Sequence, residues 1–307
     1  MSRQAKTNII LFSLVIFLSF IAWFQPGLQQ TVLYYLSSLK ADEINTILIQ
    51  RQGIGQIKLH KKTHGWFLQE PYPLPANPLR IDTIIALVEK RSYSRFQAAD
   101  DELVRFHLDD PLVSIWLNES KFVIGSDNPV NHQRYAMNLD ENTHSGTNTI
   151  HLINGSVFYQ LRSNLDSFIS PRLLPPGSNI KSIAWANKKL IIDQGIWQLT
   201  PDDPTVASDS IAQFIQFWKN SRASQVETNV QPAIDISQLT QSARKSKTIS
   251  IAFSETDDTS TGPIQYLIIQ EGEQIKLWRS DIKVAYLITP QILKLLSEFI
   301  PVQQSSS

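Results

Sequence analysis

From Asn8 to Phe24 the chain carries no charged side chain, and Asn8, Ser13 and Ser19 are the polar positions in the run. Extended through Leu28, the stretch 8–28 has about the 20 residues that a helix needs to cross a hydrocarbon core of roughly 30 Å. The two serine hydroxyls can return to the helix backbone, so they do not disqualify it. A core helix of a soluble domain keeps a polar face; this run is apolar on all sides, and Pro26-Gly27 ends it. Arg3 and Lys6 precede it, and no acidic residue occurs before Asp42. The positive-inside bias therefore holds residues 1–7 in the cytosol and sends the rest of the chain across. Trp23 falls where an interfacial aromatic belongs. A cleaved signal peptide wants a shorter apolar region and small residues at the cut, and Ala22-Trp23-Phe24 fits that badly. The segment reads as a signal anchor: a single pass through a bacterial inner membrane, with the bulk of the chain in the periplasm or another extracytoplasmic space. Residues 29–43, with Val32, Leu33, Tyr35, Leu36 and Leu39, continue as an amphipathic juxtamembrane helix. It lies on the membrane surface or against the soluble domain; periodicity alone leaves both open.

The overall make-up is that of a folded protein without net charge. Apolar residues are 42% and charged residues 18% of the 307-residue chain, inside the range of globular domains. Lys+Arg and Asp+Glu both number 28, so there is no basic field of the kind that phosphate backbones require, and nucleic acid is not an expected partner. With no cysteine, disulfides, thiolate metal sites and a thiol nucleophile are excluded together.

The soluble part is written twice. Ile44-x-x-Ile47 returns as Ile180-x-x-Ile183. Trp66-Phe-Leu68, followed by Pro71, returns as Trp197-Gln-Leu199, followed by Pro201. A helix over 80–91 is expected next, with Ile81, Ile84, Ile85 and Val88 in one stripe, Asn77 as its cap and Pro78 at its first position. Its counterpart over 208–219 has Ile211, Phe214, Ile215 and Trp218, with Ser208 as its cap. Ser94-Arg-Phe96 then matches Ser224-Gln-Val226, Val113-Ser-Ile-Trp-Leu117 matches Ile249-Ser-Ile-Ala-Phe253, and Phe122-Val-Ile124 matches Tyr266-Leu-Ile268. Late in each half, Leu152-Ile153 with a helix over Val157, Phe158 and Leu161 matches Leu287-Ile288 with Ile292, Leu293 and Leu296. Alternating apolar runs supply the strands and the 3.6-residue spacing supplies the helices. The fold class is α+β: two tandem related modules, 44–174 and 180–302, with mostly antiparallel sheets, joined at Pro175-Pro-Gly-Ser178. Ser254 to Gly262 reads as an exposed insertion and residues 303–307 as a disordered tail. Trp66 and Trp197 should take matching positions, as should Ile85 and Ile215.

Trp66-x-Leu-x-x-Pro71, the capped helix after it, and Phe106-His-Leu-Asp-Asp-Pro111 leading into Val113-Ser-Ile-Trp-Leu117 resemble the bacterial DUF4340 family. That family typically shows Gly-Leu-x-x-Pro before paired strands, and His107 stands here in place of the glycine. The resemblance implies a membrane-anchored extracytoplasmic protein, in some members beside components of ABC transport systems. It brings no reaction and no catalytic residue with it.

The patterns that suggest chemistry have simpler readings. His60-x-x-x-His64 has the spacing of helical metal ligands, but Gly65 and the alternation on both sides put it in a hairpin, where two imidazoles do not converge. Ser242-Ala-Arg-Lys245 and Ser126-Asp-Asn128 resemble penicillin-binding signatures. Lys247-Thr-Ile249 lacks the glycine of the third element, and the order is reversed. Asp100-Asp-Glu102, Asp109-Asp110, Asp202-Asp203 and Asp257-Asp258 lie in polar, turn-like stretches, where carboxylates stay solvated. Trp116, Trp185, Trp197 and Trp218 read as core. No catalytic, cofactor-binding or metal-binding residue is assigned, and no cofactor is expected. The expected function is non-catalytic: an anchored accessory or binding protein whose partners are the membrane and other envelope or transporter proteins. A cell-envelope hydrolase, or a lipid- or substrate-binding module with an apolar groove, is the alternative.

Overall fold

An uninterrupted apolar run without proline favours one long helix, and α1 covers Arg3–Phe24. At 1.5 Å per residue it is about 33 Å long. Among the described residues it is the one helix long and apolar enough to cross a bilayer, with a mean hydropathy of 1.7 over Arg3–Ile21. Ile10, Phe12, Phe17 and Phe20 are all exposed on it. The computed structural model describes residues 3–24, 34–140, 147–230, 247–254, 262–271, 274–289 and 299. Met1–Tyr34 and Tyr35–Ser307 are separate compact units.

The second unit contains two eight-stranded sheets. The first is built from β1 (Thr46–Arg51), β2 (Gly55–Lys62), β3 (Gly65–Glu70), β4 (Ser94–Ala99), β5 (Val113–Leu117), β6 (Ser120–Asp127), β7 (Gln133–Asn138) and β8 (Thr147–Asn154). The second is built from β9 (Ile180–Trp185), β10 (Lys188–Asp193), β11 (Ile196–Thr200), β12 (Gln225–Thr228), β13 (Thr248–Phe253), β14 (Ile264–Glu271), β15 (Gln274–Arg279) and β16 (Val284–Ile288). The spatial order is β3-β2-β1-β5-β6-β7-β8-β4 in the first and β11-β10-β9-β13-β14-β15-β16-β12 in the second. Adding eight to each label turns one order into the other. Every pairing is antiparallel. In each sheet the chain lays down a three-stranded meander, crosses to the far edge, and returns to build a second meander outward from the first strand.

The rows of side chains across the strands repeat as well. Leu68, Leu59, Ile47 and Leu117 face one another across β3, β2, β1 and β5. Leu199, Leu190, Ile183 and Ile251 do so across β11, β10, β9 and β13. Trp66 and Trp197 are each the second residue of an outer strand, two before the leucine of that row, and both pack half-buried on the core. The row also corrects one sequence match. Starting from Ile47 and Ile183, the ladder sets Ile115 level with Ile249, where the sequence aligns Val113. A shift of two keeps the same face inward, so the apolar pattern does not register it.

The helices cover one face of these sheets. α2 (Pro78–Ile85) and α4 (Ser208–Asn220) occupy the crossings that follow β3 and β11, and α3 (Ser156–Leu161) follows β8. α2 is shorter than its apolar stripe: Leu87 and Val88 are buried just beyond its end, and Ile85 is half-buried. Asn77 is at the cap position, but its amide donates to the Ser167 carbonyl, 3.1 Å away, rather than capping the helix. Ser208 is the first helical residue, and the cap position belongs to Ala207. Ile81, Ile84, Phe158, Leu161, Phe214, Ile215 and Trp218 join Ile47, Ile49, Ile183 and Ile251 in one continuous apolar cluster that spans both sheets. Each such side chain contributes roughly 1.5–3 kcal/mol. Around α4 the core is aromatic: Phe214 meets Trp185 at 5.3 Å and Trp218 edge-on at 6.2 Å, and Trp218 stacks on Tyr266 at 5.8 Å. The Trp185 indole donates to the Phe299 carbonyl at 2.8 Å, and the Tyr266 hydroxyl to that of Leu173.

Among the described residues the two sheets share no strand pairing. They are joined through the segment 169–172, where Ile169 bridges to Ala76 and Arg172 to Arg222, with Ala223 N donating to Pro171 O at 2.8 Å. The Tyr72 hydroxyl donates to Asn229 at 2.7 Å and the Thr228 hydroxyl to Asp166 at 2.5 Å. In the stretch expected to be an amphipathic helix, residues 34–43 instead hold a two-residue strand and a single 3-10 turn, Ala41–Glu43. Leu36 is fully buried in the core and Leu39 packs against it, because the nearby sheet offers an apolar face to cover. The late helix over Ile292–Leu296, most of the Ser254–Gly262 insertion and the 303–307 tail lie outside the described residues.

Candidate functional site: a basic-walled cleft beside the first hairpin

On a strand, alternate residues share a face. In β2, Ile57 and Leu59 are buried while Lys58, His60 and Lys62 occupy the opposite side. β3 pairs against them, with Phe67 opposite His60 and Glu70 opposite Lys58. This outer face forms one wall of a cleft of about 750 Å³. Buried Leu68 and Leu74, with Pro73, Pro75 and Pro175, give it an apolar floor. Ile264 and Arg279 of the second sheet, with Asp281 and Ile282 in the turn after β15, form the far side.

The charges in the cleft are not equally available. Arg279 is committed to Asp281, with Nη2 at 2.6 Å and Nε at 3.3 Å from its carboxylate oxygens. The Glu70 carboxylate accepts a hydrogen bond from Gln56 at 2.8 Å. Lys62 Nζ sits 5.0 Å from the centre of the Phe67 ring. Among the described residues neither Lys58 nor Lys62 forms a salt bridge. His60 lies 6.2 Å from the Phe67 ring, and its Nδ1 has no hydrogen-bond partner among the described residues. Burial, then the charge on Lys62, lower its pKa and outweigh the backbone of Phe67, so the imidazole is neutral at pH 7. His64, in the hairpin turn, packs against the linker. Gly177 has a φ of +77°, which is what favours glycine there; a Cβ would come 3.0 Å from the imidazole Cγ, a contact the exposed His64 ring can relieve by shifting.

The other sequence candidates resolve into structural contacts. His60 and His64 sit in a hairpin, and among the described residues there is no cluster of three metal-ligating side chains. Ser126 donates to the Phe106 carbonyl at 3.2 Å, Asp127 holds Arg134 at 2.9 Å, and Asn128 accepts from Val130 N at 3.0 Å. Asp100 accepts from Asn148 at 2.7 Å, Glu102 from Ala99 N at 3.0 Å, and Asp110 from Gln52 at 3.1 Å. Asp203 binds Lys188 at 2.9 Å and the Thr205 hydroxyl at 2.6 Å, which lower its pKa to about 2. Trp185 and Trp218 are core, while Trp116 is half-buried beneath the Lys121 ammonium at 4.8 Å. Ser242, Lys245, Asp257 and Asp258 lie outside the described residues.

Sequence reasoning missed two features. The cleft was missed although Lys58-x-His60-x-Lys62 carries its signal, a basic period of two on a strand. The second is His151 in β8, which is 1% exposed with neither ring nitrogen hydrogen-bonded among the described residues. Burial, then the charge on Arg95, pull its pKa down to about 4.

A family model, described as a domain of unknown function (DUF4340), matches residues 66–233, over half of the chain. The match starts at the second residue of β3 and ends beyond β12, so it includes parts of both sheets. No curated protein and no solved structure matches the chain.

Proposed function

We propose that this chain, which belongs to the DUF4340 family, is a non-catalytic accessory or binding protein anchored in a bacterial inner membrane by α1, its folded unit standing outside the cytosol. The observation that carries the reading is α1 itself, 22 residues long and uncharged from Asn8 to Phe24, with Arg3 and Lys6 at its start and no acidic residue before Asp42. The non-catalytic part is supported by Ser126, Asp127, Asp100, Glu102, Asp110 and Asp203, whose polar atoms are engaged in caps, turns and ion pairs. The identical strand orders and the matching Leu-Leu-Ile rows support a duplicated module, so that one polypeptide offers two related sheets to a partner complex of the envelope or of a transport system. Duplication explains the agreement because order and register are independent choices for two unrelated sheets.

Topology is the direct test. Alkaline phosphatase fused after Ser307 should be active, since that enzyme matures only when exported. An inactive phosphatase together with a fluorescent cytosolic reporter at the same junction would overturn the orientation. Crosslinking in intact membranes followed by purification should then recover integral or peripheral envelope proteins.

A further inference from the structure

We propose that the cleft beside the β2–β3 hairpin binds an anionic amphiphile, a carboxylate or phosphate head on an apolar body. Residues two apart on a strand are about 7 Å apart, so Lys58 and Lys62 bracket His60 along one wall. Both ammoniums lack a carboxylate partner among the described residues, while Arg279 and Asp281 satisfy each other. That leaves uncommitted positive charge on the β2 side above a floor of leucine, proline and Phe67. A free inorganic anion would use the lysines and leave the floor wet, and an uncharged apolar molecule would use the floor and leave the lysines idle. An anion with an apolar body uses both. The volume, about 750 Å³, lies within the usual range for small-molecule pockets.

The second sheet supplies an internal control. The matched leucine pairs Leu59–Leu68 and Leu190–Leu199 place Ile191 and Gln198 where the first sheet has His60 and Phe67. Lys58 and Lys62 correspond to Lys189 and Asp193. Forming the hairpin therefore does not require the basic wall. The assignment stands independently of membrane orientation.

The full chain, reconstituted in phosphatidylcholine nanodiscs, is titrated calorimetrically with octyl phosphate, octanoate, octanol and inorganic phosphate, with empty discs subtracted. Saturable one-to-one binding of both octyl anions, with octanol and inorganic phosphate at least roughly tenfold weaker, is the expected result. The exposed pair K58Q/K62Q should lose roughly tenfold or more in octyl-anion affinity with unchanged thermal unfolding. Phe67→Ala should weaken the octyl anions and leave inorganic phosphate unaffected. Discs containing phosphatidylglycerol separate the two sources of such a ligand. Competition that lowers octyl phosphate affinity in the wild type but not in K58Q/K62Q supports a membrane lipid. Unchanged affinity supports a soluble amphiphile. Equal binding of octanol, equal binding of inorganic phosphate, or no saturable binding would each overturn the proposal.

Discussion

Leu59 and Leu190 stand at the same crossing of rows, each between an isoleucine on one neighbouring strand and a leucine on the other. One residue further along, His60 and Ile191 part company. The inner faces of the two sheets agree because both must fill a common apolar cluster, and only a few side chains fit such positions. Elsewhere the outer faces carry small apolar clusters of their own, around Met137 in the first sheet and Trp278 in the second, but at the two leading hairpins they answer to no such demand. There the first sheet carries Lys58, His60, Lys62 and Phe67, and the second sheet carries Lys189, Ile191, Asp193 and Gln198. Where two sheets of one strand order differ, the difference marks positions that the shared order leaves free. Had the basic face been needed for folding, both hairpins would carry it.

The largest effect should come from charging the shared interior. Ile215→Asp puts an unpaired carboxylate at a position 4% exposed, a change expected to cost about 4 kcal/mol or more. Ile85→Asp, at a half-buried site, should cost about half as much. Because the two sheets share one cluster, circular dichroism during denaturation should show a single transition for the folded unit in both variants. Two separable transitions would break the comparison by showing the sheets to be independent domains. The tryptophans give a finer test: Trp66→Ala and Trp197→Ala should each lose about 2 kcal/mol, and losses differing by more than about twofold would mean that their equivalence is formal only.

Acid separates the sheets further. His151 directly precedes Leu152-Ile153, as Tyr286 precedes the matched Leu287-Ile288. Burial raises Tyr286 to about 12, so it does not titrate near neutrality. His151 is the opposite case. Its folded pKa of about 4 lies below the ordinary 6.5, so the unfolded chain takes up the proton first. Its contribution is fully present above pH 6.5 and is lost progressively as pH falls toward 4, by on the order of 2–3 kcal/mol. His151→Leu should remove that part of the acid slope and cost little at pH 7, because both ring nitrogens are already unpartnered. An unchanged slope in denaturation measured between pH 7 and 4 would show that other groups carry it. The smallest effect is local. His107 ends the 3-10 helix Asp100–Phe106 with φ 53° and ψ 42°, in the left-handed region that suits glycine. His107→Gly should therefore raise stability by about 0.5–1 kcal/mol, read as a shift in denaturation midpoint.

That histidine also shows how much of the fold was legible in the sequence. The resemblance placed a glycine at position 107, and the backbone there has the conformation a glycine would favour, so the motif holds its shape despite the substituted residue. Hairpins, the repeated Trp-x-Leu and the helix crossings were legible because each is written in local spacing. The register of β5 against β13 was not, since apolar runs are alike when slid by two. The Ser208 cap failed because the helix begins one residue earlier than its hydroxyl suggests. The cleft was beyond reach as a whole. Its walls come from residues 58–75, 175, 262–264 and 279–282, and only the first of those stretches carries a local sign of charge patterning.

The far-edge strands set a timetable for the newborn chain. Among the described residues β4, at residues 94–99, pairs only with β8, where Ser94 meets Leu152, and β12 pairs only with β16, where Gln225 meets Leu287. A chain emerging amino end first therefore presents an open strand edge twice, and each edge waits for the last strand of its own sheet to arrive. Such an edge is a template for mispairing while it waits. In physical terms β4 has no partner until residue 152 has been made, and β12 none until residue 287, so each sheet's open edge lasts until its own final strand is complete.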